Sequence, residues 1–194
     1  MLECFAYWEQ TPSGGIRCGT LITAGDNPTI VGNAVLKNPG SAEPVASLFP
    51  REDGRMDFTV DATMHALADL FCLESGTIRL FNLLDIRAVN PDEALKMLDA
   101  GVEQTSPDDV VRELSEGPRV PTYLGWGDLW RHPKLESKAR AIFDVVLQDT
   151  PCLVPEIGDN PFFHPLYLMR YGSRQLDCSE QLRRFREILK KNLR

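Results

Sequence analysis

The sequence predicts an α/β fold of three layers, α/β/α, around a central, mainly parallel four-stranded sheet. Two observations carry this. Apolar, β-prone runs at 29–37, 77–87, 119–127 and 150–157 alternate with segments of helical spacing. Such alternation gives parallel strands covered on both faces, with ligands at the carboxyl ends of the strands.

Each element has a local reason. Residues 1–25 contain "GIRCGTLITAG", short β-prone runs around glycines, and read as a hairpin leading into the domain; residues 1–28 form that extension. "TIVGNAVLK" (29–37) is the first main strand. Residues 38–57 carry Pro39, Gly40, Pro44, Pro50 and Gly54 and little regularity. A loop of that length is functional or disordered. "TVDATMHALADLFCLE" places Met64, Leu67, Leu70 and Phe71 on one side of a helix. "TIRLFNLLDIR" (77–87) is an apolar strand. "NPDEALKMLDAG" is a helix capped by Asn90, opened by Pro91 and stopped by Gly101; "SPDDVVRELSEG" repeats that grammar with Ser106, Pro107 and Gly117. "RVPTYLGWG" (119–127) is the third strand and "HPKLESKARAIFDVVLQ" the helix after it. "TPCLVPEI" is the fourth strand. A basic helix at 178–194 closes a single domain of 194 residues.

The totals exclude several classes. With 43% hydrophobic and 25% charged residues the composition is ordinary for a globular protein, and a continuous core is possible. No apolar run reaches the length of a membrane span. The start, "MLECFAYWEQ", lacks a basic region, so a signal peptide is not expected and the chain reads as cytoplasmic. The five cysteines form no C-x-x-C pair, so neither a disulfide framework nor a zinc or iron–sulfur site is signalled. The net charge of −7 argues against indiscriminate nucleic-acid binding. Residues 183–194 nevertheless carry +5, leaving −12 on the rest. That basic stretch suits either phosphate contact or a solvated helix face.

Polar residues at the strand ends are the candidates for a site. Asn38 precedes Pro-Gly, which is also ordinary turn composition. Asn82 stands in an apolar strand, where a buried amide costs free energy unless bonded, to a loop or to a ligand. Gly125-Trp126-Gly127 is a lone GxG and weak evidence for a nucleotide loop. His164, in "NPFFHPLYL", is a candidate donor or a satisfied surface histidine. Asp61, His65 and Asp69 share a helix face that reads as solvated rather than metal-binding. His132 before Pro133 reads as helix-start chemistry.

Taken in order, these motifs resemble the uracil-DNA glycosylase superfamily. "LKNPG" is similar to its first motif, "LFNLLDIRAVNPDEA" to its second strand with a base-reading Asn, "YLGWGDLW" to its third, and "HPLYL" to its last. A second resemblance is closer: a bacterial and phage family of unknown function marked by Asn-Pro-Ser/Gly, Asp-x-Thr, Asn-Leu, Trp-Gly and His-Pro-Leu-Tyr-Leu. Here these are Asn38–Gly40, Asp61–Thr63, Asn82-Leu83, Trp126-Gly127 and His164–Leu168. We treat it as a divergent glycosylase-like branch.

The resemblance implies a monofunctional DNA glycosylase that flips a base into a pocket, hydrolyses its N-glycosidic bond and leaves an abasic site. It implies that Asn38 orients the water and His164 stabilises the leaving base. Asn82 would read the base edge and Phe49 stack on it, with Phe58 in reserve. Leu168 would fill the gap left in the duplex, and Arg170 and Arg174 hold the backbone. An amide is a weak base, so a helping carboxylate, Glu43 or Asp61, is of interest. Gly40, Ser41 and Ala42 stand where the superfamily has a bulkier screening residue. That implies a roomier pocket and a damaged or bulky modified base, including one in foreign DNA, so the setting is DNA repair or phage defence. Leu166 replaces a common Ser. No cofactor or metal is expected. The expected partner is DNA, duplex or single-stranded, with no membrane and a monomeric state. Two alternatives stay open: a nucleoside or nucleotide N-glycoside hydrolase, and a non-catalytic member of the fold that binds a base or a protein.

Overall fold

A computed structural model describes residues 1–153 other than 12, 13, 41, 46–49, 89, 103, 104, 128, 150 and 151. In chain order the strands are β1 (Leu2–Thr11), β2 (Gly14–Ala24), β3 (Ile30–Leu36), β4 (Met56–Phe58), β5 (Gly76–Asn82), β6 (Ile86–Arg87), β7 (Thr122–Gly125) and β8 (Cys152–Leu153). The α-helices are α1 (Ala62–Leu70), α2 (Pro91–Asp99), α3 (Pro107–Glu116) and α4 (Glu136–Asp149).

The strands make one mixed sheet in the order β4-β1-β2-β5-β3-β7-β8, with β6 beside β2. Each of the four runs expected as strands holds one, the last described only at Cys152–Leu153, and these four are mutually parallel: β5 and β7 flank β3, and β8 follows β7. The sheet as a whole corrects the expectation of a mainly parallel, four-stranded one. The β1/β2, β1/β4, β2/β5 and β2/β6 ladders are antiparallel. The physical reason is the edge of β5. Left bare, it would present unpaired N–H and C=O groups. The N-terminal hairpin covers it, Thr20–Ala24 pairing with Gly76–Leu80.

The core divides across the sheet. Alternate residues of one strand point to opposite faces. Ala34, Leu36, Ile78, Leu80 and Tyr123 pack with Met64, Leu67 and Leu70 of α1. Val35, Phe81 and Leu124 pack on the other face with Ala94, Val110, Leu114, Ile142 and Val146 from α2, α3 and α4. The apolar runs of β3, β5 and β7 are thus buried from both sides, as parallel strands require.

The helix boundaries follow their caps. The side chains of Asp61, Asn90 and Ser106 accept from backbone N–H groups of Met64, Asp92 and Asp108. Each satisfies a donor that the first turn leaves orphaned, worth about 1 kcal/mol. The expected strand 77–87 is in fact two. β5 ends at Asn82, because the amides of Leu83 and Leu84 turn to the carbonyls of Leu36 and Lys37, each at 2.9 Å. The chain then crosses to pair Ile86 and Arg87 with β2. The expected loop 38–57 also contains regular structure, since β4 pairs with Cys4–Ala6. Among the described residues no helix is long and apolar enough to cross a membrane. The expected helix 178–194 lies outside the described residues.

Candidate functional site

The turn Asn38-Pro39-Gly40 leaves the carboxyl end of β3, and its neighbours fix it from several sides. Asn38 Nδ2 donates to Ala88 O at 2.7 Å. That contact identifies which end of the amide is nitrogen. It leaves Oδ1 as the acceptor the side chain can offer elsewhere. Arg17 Nη2, from β2, donates to Pro39 O at 2.6 Å. Gly40 has φ +67°, a left-handed conformation that glycine adopts without strain. A Cβ at Gly40 would lie 3.8 Å from Asp61 Oδ2. Asp61 therefore stands beside the turn, with Oδ1 engaged by Met64 N–H. Glu43 is instead held in an ion pair with Arg87 at 2.8 Å.

Asn82 ends β5 directly opposite Leu36, the last residue of β3. Its residue is 2% exposed. Neither Nδ2 nor Oδ1 has a hydrogen-bond partner. The sequence left a loop-bonded Asn and a ligand-reading Asn equally open; no such loop bond is made.

Two further buried polar side chains share this neighbourhood, and sequence reasoning missed both. Arg17 is 2% exposed and Thr20 1% exposed. Arg17 Nε and Nη1 and Thr20 Oγ1 have no hydrogen-bond partner either. Their placement follows from register. Thr20 pairs with Leu80, two residues before Asn82 on the same face. Arg17 N donates to Asp85 O at 3.0 Å, on the segment that follows Asn82. The Arg17 guanidinium lies 5.3 Å from the centroid of Phe58, on the α1 face. Burial pulls its pKa down from the ordinary arginine value, and the nearby Asp61 carboxylate opposes that. The signal available in the sequence was a lone arginine inside the β-prone run "GIRCGTL".

The remaining candidates sort plainly. Phe58 is buried and packs edge-on against Trp8, with centroids 5.7 Å apart, so it is part of the core wall. Trp126 and Gly127 follow β7 and are buried. The carbonyl of His132 accepts from Leu135 and Glu136 N–H groups at the start of α4, as helix-start chemistry requires. Ser41, Phe49, His164, Leu168, Arg170 and Arg174 lie outside the described residues. The structure therefore brings Asn38, Gly40 and Asn82 to one end of the β3/β5 pair, and adds Arg17, Thr20 and Asp61.

Behind this end, towards α3, is a cleft of about 240 Å³ whose lining includes Asn82, Cys18, Asp85, Thr105 and Glu113. Among the described residues no group of three or more His, Cys, Asp or Glu could hold a metal ion. No family model, curated protein or solved structure matches the chain.

Proposed function

We propose that the chain is a monofunctional DNA glycosylase acting on a damaged or modified base. One observation carries this reading. Asn82 presents a complete amide, donor and acceptor, buried and unbonded at the carboxyl end of a parallel strand. A buried polar atom left unpaired costs about 1–3 kcal/mol, and two such atoms on one side chain are difficult to explain by packing. A base edge supplies a donor and an acceptor of the kind the amide lacks.

Asn38 stands across the β3/β5 pair from this amide. Its nitrogen is tied to Ala88 O, which directs Oδ1 as a fixed acceptor for a water. Water adds to C1′ of the sugar as the bond to the base breaks. One water proton leaves to bulk, and the base departs with its bonding electrons. The transition state has oxocarbenium character, so a weakly basic amide suffices to place the water. Asp61, beside Gly40, adds negative charge near the developing cation. His164 would stabilise the departing base, and Phe49 would stack on it. Gly40 and Ala42, small where the superfamily carries a bulkier residue, suit a base larger than uracil.

The test is incubation with duplex and single-stranded DNA carrying a panel of modified bases, followed by alkali to reveal abasic sites. Release of a base by the wild type, lost in Asn38→Ala and His164→Ala, supports the reading. Release of none refutes it. The net charge of −7 favours a second reading, hydrolysis of a free nucleoside or nucleotide, which the same assay on monomers would detect.

A further inference from the structure

The cleft towards α3 has a β-bulge for its floor. Between the pairs Phe5/Leu21 and Tyr7/Cys18, β1 has one residue, Ala6, where β2 has two, Gly19 and Thr20. A bulge bends its strand and re-aims the groups beside it. Gly19 takes φ +56°, and a Cβ there would stand 2.6 Å from the Tyr7 ring, so glycine lets that ring lie over the strand. The Gly19 carbonyl accepts from Arg55 Nε at 3.0 Å. Arg55 Nη1 pairs with Asp53 at 2.6 Å, and the guanidinium lies 4.5 Å from the Tyr7 centroid. Three contacts thus fix this cation, while its Nη2 makes no hydrogen bond among the described residues.

The other wall belongs to α3. β2 lies between β1, which carries Tyr7, and β5, whose Phe81 packs with Val110 of α3. Glu113 of α3 lines the same cleft, and its charge reaches the Cys18 thiol. Only its main-chain carbonyl is engaged, by Arg79; the carboxylate has no partner among the described residues. The remaining charges are matched. Asp85 and Lys138 pair at 3.6 Å, Thr105 N–H donates to Asp85 at 2.8 Å, and Lys138 donates to Thr105 O at 3.3 Å. Burial, helped by the Asp85 charge, pushes the Cys18 thiol up, so at neutral pH it adds no charge to the floor.

We propose that this cleft binds a free α-amino acid as its zwitterion. Its volume of about 240 Å³ is below the roughly 300–1,000 Å³ of pockets that take drug-sized molecules, so the ligand is small. Its two unmatched charges are of opposite sign and stand on opposite walls. The ligand carboxylate accepts from Arg55 Nη2, and the ligand ammonium donates to Glu113; both are charge-assisted bonds. An apolar side chain then lies against Phe81 and Val110. Because Arg55 is already fixed, little side-chain freedom is lost on binding. A phosphate or nucleotide would oppose Glu113, and a simple amine would oppose Arg55. Only a ligand with both charges close together satisfies both walls. The site lies on the α3 side of the sheet, and it stands or falls independently of the glycosylase reading.

The test is calorimetric titration of the full chain with alanine, valine, leucine and methionine, then with the N-acetyl and amide derivatives of the tightest binder. The expected result is saturable binding of at least one of the four. Acetylation removes the ligand's cation and amidation its anion. Each weakens binding roughly ten- to a hundredfold, the loss of one charge-assisted hydrogen bond. Arg55→Gln and Glu113→Gln weaken the unmodified amino acid by a similar factor, with circular dichroism unchanged. In Glu113→Gln the amino acid and its N-acetyl form bind alike. Arg55→Gln also loses the bond to Gly19 O. Should it fail to fold, Glu113→Gln decides alone, because it keeps the main-chain bond with Arg79 and the native carboxylate holds no partner. Binding of none of the four, blocked derivatives that bind as tightly as the parent, or binding unchanged in Glu113→Gln would each overturn the proposal.

Discussion

Replacing Asn82 with leucine separates a structural amide from a ligand-reading one. Leucine is close to asparagine in shape and removes both unbonded polar atoms, each of which costs about 1–3 kcal/mol to bury unpaired. The native contacts of Asn82 include no side-chain hydrogen bond that would be lost. After allowance for imperfect packing, the variant gains about 2 kcal/mol. At roughly 2–4 °C per kcal/mol for a chain of this size, Tm rises by about 4–8 °C. Base recognition moves the other way. An amide paired to a base edge discriminates by about 1–3 kcal/mol, or roughly 5- to 150-fold. Urea and thermal unfolding read the first effect; binding of the preferred base reads the second. A variant destabilised by 2 kcal/mol or more, with base binding intact, refutes the reasoning. It would mean that the amide serves the fold. A gain in stability with a loss of binding is the trade expected of a site held unpaired for a ligand.

Other outcomes follow from the same geometry. Asn38→Ala removes the bond to Ala88 O, costing about 1 kcal/mol in urea unfolding, and misplaces the water, so excision falls by roughly a hundredfold. Lys138→Met leaves Asp85 buried without its ion-pair partner at 3.6 Å; unfolding free energy falls by about 3–5 kcal/mol. Burial pushes the Cys4 thiol up from 9.0 to about 12. At pH 8, iodoacetamide on the native protein therefore modifies the exposed Cys72 and leaves Cys4 intact, as peptide mass mapping checks. Between about pH 9 and 12 the unfolded thiol loses its proton while the folded one keeps it. Stability then falls with rising pH in that window, by up to about 1.4 kcal/mol per unit, and Cys4→Ala flattens the slope.

Much of the parallel half of the fold was legible in the sequence. β3, β5 and β7 are apolar runs because both faces of a parallel strand are buried, and the caps Asp61, Asn90 and Ser106 announce their helices through side-chain chemistry alone. What was not legible is long-range. Nothing local to residues 1–25 says that the hairpin will pair with β5, because that choice depends on which sheet edge is left bare. The break after Asn82 is of the same kind, since it is set by the carbonyls of Leu36 and Lys37 and not by a turn residue. In the site, Asn38 and Asn82 were visible as polar residues at strand ends. Arg17 was not, because it reaches the site only through the antiparallel register that was missed.

The central claim is that the unbonded Asn82 amide reads a base that is then cut from its sugar. The most direct measurement is release of base from duplex and single-stranded DNA carrying modified bases, developed with alkali, for the wild type and Asn82→Leu side by side. The account predicts alkali-sensitive breaks at one or more of the modified positions with the wild type, reduced roughly 5- to 150-fold in a variant that is at least as stable. Breaks made equally well by Asn82→Leu, or none made by the wild type on any substrate, would contradict it.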